Sequence, residues 1–165
     1  MICKKIPLLI LMGILVMSSC QDAHKEKSIT HSDTTVEERK ILECLKNETH
    51  AASARDYKSW RTHWVHRPSI SKTYMNFADN TFSEMNSWKE IDDFVKTYIE
   101  EHPKPVQPPA QSENIDVKIY GNGAWVSYEI WDEVSGKKKE TRLMEKENNK
   151  WKIAGMHTTI YGFDK

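Results

Sequence analysis

Ile115-Asp116-Val117-Lys118-Ile119-Tyr120-Gly121-Asn122-Gly123-Ala124 is the stretch that decides the fold. Ile115, Val117 and Ile119 alternate with Asp116, Lys118 and Tyr120, a period of two that puts one set of side chains on each face of a strand. Gly121-Asn122-Gly123 supplies turn residues, so a hairpin is expected. The pattern then repeats. Ala124 to Trp131 reads as a second strand, Ser135-Gly136-Lys137 as a turn and Lys139 to Lys146 as a third strand. Asn148-Asn149 is another turn, and Trp151 to Tyr161 closes an antiparallel meander.

Upstream the period becomes helical. Ser87-Trp88-Lys89-Glu90 has capping-box spacing, and Ile91, Phe94, Val95, Tyr98 and Ile99 follow as an apolar stripe. That helix stops at His102-Pro103, and the segment 103–109 is a proline-rich connector. The stretch from Ser69 to Met85 is aromatic and polar without a clean period, with room for one or two short strands. Before it, Asp56 has the character of an N-cap for a short helix through Tyr57, Trp60 and Trp64, ending before Pro68. The first helix is announced by Thr35-Val36-Glu37-Glu38 and continues through Ile41, Cys44, Leu45 and Ala52 to about Ala54. Helices followed by an antiparallel sheet give an α+β domain with the helices on one face. One domain is expected from 165 residues, spanning 35–165.

The N-terminal residues read differently. Lys4 and Lys5 precede an apolar run from Ile6 to Met17, then Ser18, Ser19 and Cys20. The run is about a dozen residues, short of the roughly 20 that a helix needs to span a bilayer. The layout is that of a signal peptide over 1–19, and small residues before a cysteine resemble a lipobox. Cys20 is then the expected lipidation site, and 20–34, polar and poor in large apolar residues, the tether. The expected location is exported and lipid-anchored on the cell envelope, with the membrane contacted through the anchor only. With Cys3 removed and Cys20 acylated, Cys44 stays alone and reads as core, on the apolar side of its helix. The 24 lysines and arginines balance 24 aspartates and glutamates, so no overall field favours nucleic acid as a partner.

The order of elements resembles the nuclear transport factor 2-like superfamily, in which helices and a strongly curved sheet form a cone over a pocket. Glu140-Thr141-Arg142, Lys150-Trp151 and Met156-His157 resemble the terminal hairpin of the association domain of calcium/calmodulin-dependent protein kinase. Gly121 followed by Ala124 is similar to that family's turn and strand entry. The resemblance implies a pocket, and homo-oligomerisation through the sheet, with a homodimer expected. It implies a pocket position for Arg142, where the family's arginine helps to hold carboxylates. The family's second pocket arginine, after the late histidine, is Thr158 here. Fold alone decides no chemistry.

Each candidate residue has two readings. Arg142 presents its planar fork to a ligand acid group, or forms a surface ion pair, for instance with Glu129. His157, sharing strand parity with Trp151 and Ile153, is a pocket acid, base or donor, or a structural histidine. Asp56 compares with the catalytic aspartates of ketosteroid isomerase-like and polyketide cyclase-like members, though capping suits it better. Trp60, Trp64, Tyr74 and Tyr128, with Trp125 and Trp131, offer aromatic surface for cavity walls or for ordinary packing. His63 and His66 lack a third ligand in sequence range, so neither a metal nor a cofactor is expected. Asn47-Glu48-Thr49 matches a glycosylation pattern but lies inside a helix. Three functions stay open: a binding module for a small organic ligand, with or without a carboxylate; an isomerase- or cyclase-like enzyme using a pocket His or Asp; and a protein-interaction or assembly module.

Overall fold

The computed structural model describes residues 31–110, 112, 114–133 and 135–163, so Cys20 and the 1–19 segment lie outside the described residues. Among the described residues three helices come first, interrupted by one hairpin: α1 (His31–Ser53), α2 (Tyr57–Thr62), β1 (Ser71–Asn76), β2 (Thr81–Met85) and α3 (Trp88–Glu101). The meander follows as β3 (Asp116–Tyr120), β4 (Gly123–Asp132), β5 (Gly136–Glu147) and β6 (Lys150–Gly162). The six strands form one curved sheet in the order β2-β1-β6-β5-β4-β3. Among the described residues, no helix is long and apolar enough to cross a membrane.

The expected turns form for the expected reasons. Gly121 takes a left-handed φ of 61° at the β3–β4 reversal, and Asn148 and Asn149 both take positive φ (50° and 61°) at the β5–β6 reversal, as a tight hairpin requires. Ser87 caps α3, its Oγ accepting from Glu90 N at 3.2 Å, while the Glu90 carboxylate accepts from Asn86 N at 2.8 Å. Ile91 and Val95 on that helix are buried.

Three expectations are corrected. The first helix begins at His31, four residues before the Thr35 capping-box reading; Glu37 is drawn to the sheet, as described below. The second helix ends at Thr62, so Trp64 is not on it. Trp64 pairs in parallel with Ile153 instead, through Ile153 N to His63 O (2.8 Å) and Val65 N to Ile153 O (2.9 Å). That pairing fixes the direction of the chain beside β6, so β1 continues parallel to it and the sheet is mixed, not wholly antiparallel. The curvature has a local cause in β6. Leu143 pairs with Gly155 but Met144 with Ile153, which leaves Ala154 as the extra residue of a bulge.

All three helices lie on the concave face. Ile41 and Leu45 of α1, Trp60 of α2, and Val126, Met144 and Ile153 of the sheet are buried together. The end of α1 is fastened by charge. Glu37 Oε2 accepts from Lys146 Nζ at 2.6 Å and Trp151 Nε1 at 2.7 Å, and Oε1 from Lys40 Nζ at 2.9 Å. The hydrogen bonds from Lys146 and Lys40 hold the Glu37 carboxyl down at about 2, against an ordinary 4.5. A depressed carboxyl stabilises the fold above its unfolded pKa and loses that contribution as pH falls toward the folded value. Glu37→Gln should therefore lower the urea unfolding free energy by about 1–3 kcal/mol near neutral pH. The deficit should shrink as the pH is taken from 4.5 toward about 2; a deficit independent of pH would assign the loss to packing.

Candidate functional site

Strand register builds the site. On the concave face, Tyr128 stands opposite Glu140, Glu140 opposite Thr158, and Thr158 opposite Tyr74. One step along the strands, Val126, Arg142, Met156 and Lys72 form a second cross-strand row. The two rows bring an acid, two cations and two tyrosines under the helices, in a cavity of about 530 Å3. Leu45 and Ala52 of α1, Trp60 of α2 and Phe94, Val95 and Ile99 of α3 supply its apolar walls.

Arg142 is 4 % exposed. Its Nη2 donates to Glu140 Oε2 at 2.7 Å and its Nε to the same oxygen at 3.1 Å. Tyr128 Oη donates to that oxygen as well, at 2.8 Å. From the other side, α1 delivers Glu48, buried at 4 % exposure. Glu48 Oε1 accepts from the indole nitrogens of Trp60 (2.8 Å) and Trp64 (3.1 Å), while Oε2 lies 3.7 Å from Arg142 Nη1. That last distance is an ion pair but too long for a hydrogen bond. Arg142 Nη1 is thus a buried donor with no acceptor, as Thr158 Oγ1 is a buried hydroxyl with none.

The electrostatics follow from this packing. Burial would raise the Glu140 carboxyl, but Arg142 beside it and the hydrogen bonds from Tyr128 and Arg142 outweigh burial and hold it below its ordinary value. Burial would likewise strip Arg142 of its proton, and Glu140, Tyr128 and Glu48 reverse this, so the guanidinium stays charged. Burial pushes the Tyr128 phenol up, and the neighbouring Glu140 adds to the rise. Tyr128 is therefore a donor here and not a base.

The remaining expected residues are divided between this cavity and other places. Tyr128, Trp60 and Tyr74 line it with Arg142. Trp64 is fully buried behind Trp60, where it serves Glu48 as a donor and forms no wall. His157 is a correction. It is exposed on the convex face between Thr141 and Thr73, because the bulge at Ala154 reverses the parity that Trp151 and Ile153 set. Glu129 pairs with Lys137 at 3.2 Å and not with Arg142. Asp56 caps α2, accepting from Ser59 N at 2.9 Å, and does not line the cavity. Trp125 and Trp131 are about half exposed on the convex face. His63 lies beside Cys44 and His66 stacks on Trp88 at 4.0 Å; no metal-binding group of three occurs among the described residues. Cys44 is core, its Sγ donating to Trp151 O at 3.2 Å, and burial pushes its thiol up to about 12. An un-ionised thiol is a poor nucleophile.

Sequence reasoning misses three members of the site: Glu48, Glu140 and Lys72. Glu48 carried a signal, since it occupies the apolar stripe of Ile41, Cys44, Leu45 and Ala52. Glu140 carried one too, since opposite charges two apart on a strand share a face. Lys72 carried none without an assigned strand.

No family model and no curated protein sequence matches the chain. Solved structures do. A cystatin-like fold protein from Burkholderia xenovorans LB400 matches with a TM-score of 0.58 at 15 % identity, over 76 % of this chain and 92 % of that one. A nuclear transport factor 2-like superfamily protein from Salmonella enterica serovar Typhimurium matches at 0.56 and 16 %, over 80 % and 94 %. A nuclear transport factor 2-like protein of unknown function from Pseudomonas putida KT2440 matches at 0.57 and 11 %, over 76 % and 87 %. At such identities the likeness carries the fold alone, and the fold of this chain is that of the nuclear transport factor 2-like proteins.

Proposed function

We propose that the chain is an exported, lipid-anchored module that binds a small organic ligand, one bearing a carboxylate or similar acceptor, in the concave cavity. The observation that carries the reading is Arg142, a guanidinium in the cavity lining whose buried Nη1 has no acceptor. Leaving such a donor unmade costs free energy that a ligand oxygen would return. The cavity of about 530 Å3 lies within the range that holds drug-sized ligands, and its aromatic walls suit an apolar body. An assembly role with the cone filled by side chains does not fit an open cavity. The acid–base alternative has lost both its named groups, since His157 and Asp56 lie outside the cavity. Glu140, held below its ordinary pKa, is a weak base. The homodimer belongs to the same reading, with Trp125, Leu143 and Trp131 exposed on the convex face as its contact surface.

A library of small carboxylates screened by thermal shift tests the binding proposal. A ligand at about 100 times its Kd stabilises by roughly 2.7 kcal/mol, so at least one member should raise the melting midpoint. Ala52→Trp, which fills the cavity from α1, should abolish the shift. Shifts from no member, or shifts that survive the filled cavity, would refute it. The anchor has a separate test: metabolically supplied palmitate should label the chain in bacteria and fail to label Cys20→Ser, and equal labelling of both would remove the anchor.

A further inference from the structure

Lys72 has a setting different from that of Arg142. It lies on the concave face of β1 and is 5 % exposed, and it lines the cavity. Its Nζ is within 6 Å of four ring centroids: Tyr74 at 5.4 Å, Trp64 at 5.5 Å, and Trp60 and Phe94 at 5.8 Å. Among the described residues its ammonium forms no ion pair and no hydrogen bond. Ring faces attract the ammonium through their quadrupoles. They accept no ordinary hydrogen bond from its three N–H groups, and the ammonium is not among the side-chain atoms sealed from solvent, so those donors are open to the cavity's occupant.

The carboxylates of the cavity are already committed. Glu140 is bound to Arg142 and Tyr128, and Glu48 to two indoles and Arg142. Among the described residues, four cationic side chains line the cavity, Lys46, Arg55, Lys72 and Arg142, against those two carboxylates. The whole chain is balanced in charge, so the excess is local. It favours an anion inside the cavity over a neutral or cationic guest.

We propose that Lys72 is the counter-ion of the ligand and that the ligand is an organic monoanion with a flat apolar body. The acid group sits on Lys72 Nζ, and the body lies against Trp60, Tyr74 and Phe94. Arg142, neutralised by two carboxylates, contributes one hydrogen bond and no net charge. Lys72 and Arg142 stand in the same cross-strand row with Met156 between them. Their Cα atoms are therefore roughly 10 Å apart, and two long side chains span that interval onto one acid group. This assignment rests on the cavity being a ligand site, and it names the group that selects the ligand's charge.

The test uses two fluorescent probes with one skeleton, 8-anilinonaphthalene-1-sulfonate and uncharged N-phenyl-1-naphthylamine, titrated into the purified full chain. The unaltered chain should bind the sulfonate more tightly. Lys72→Met should weaken the sulfonate about tenfold or more and leave the neutral probe within about twofold, while Lys72→Arg should retain most of the sulfonate affinity. Lys72→Gln, which removes the charge with a different shape, must give the same discrimination, and both variants should fold, since no hydrogen bond or ion pair of the Lys72 side chain is lost. If Ala52→Trp abolishes both probes but Lys72→Met affects the two equally or not at all, Lys72 is not the counter-ion and the cavity remains a ligand site. If neither probe binds, or both bind Ala52→Trp unchanged, the ligand site falls together with the assignment of Lys72.

Discussion

Arg142, paired with Glu140 on its own strand and with Glu48 from α1, is the interaction on which the concave side of the sheet depends. A guanidinium shielded from water needs anions close by, because the interior solvates charge poorly. Removing one partner of such a group costs about 3–5 kcal/mol, since the other charge is left stranded. The network therefore fixes α1 over β5. It also commits polar volume between helix and sheet, where an apolar core would close. Leu45, Ala52, Val95 and Ile99 cover the space beside it without filling it. The cavity exists because the charged floor and the apolar roof are held apart.

Division of labour between the two cations follows from their neighbours. Arg142 is anchored through Nε and Nη2, which leaves Nη1 buried beside Glu48 without a hydrogen-bond acceptor. Such a donor is oriented before any ligand arrives, and preorganisation lowers the cost of binding. Lys72 is held by ring faces alone, so its charge is not spent on another side chain. Convex and concave faces differ accordingly. His157, Thr141 and Thr73 share a row on the convex side, and the ionisable groups that could act on an enclosed guest are all on the other.

Much of the fold is legible in the residues. The alternation of 115–120 and the stripe of 91–99 are strong because each element packs on one side only. The turns at Gly121 and Asn148-Asn149 are legible because few residues accept left-handed backbone. What escapes is set by contacts distant in sequence. The parallel docking of Trp64 beside Ile153 fixes the direction of β1, and nothing in 63–76 marks it. A bulge at Ala154 moves His157 from the expected interior to the exterior, because parity reverses with one inserted residue. Arg142 is legible through the Glu-Thr-Arg motif. Its second carboxylate, Glu48, arrives from a helix 94 positions earlier, although an acid on an apolar stripe pointed to burial. Lys72 needs the strand before its face has meaning.

The most direct measurement of the central claim is nitrogen-15 NMR of the Arg142 side chain in the unliganded protein. A guanidinium enclosed by Glu140, Glu48 and Tyr128 should give separate Nε and Nη resonances whose protons exchange slowly with water, and Glu48→Gln should change Nη1 most. A single averaged signal exchanging at the rate of a free arginine would contradict the account.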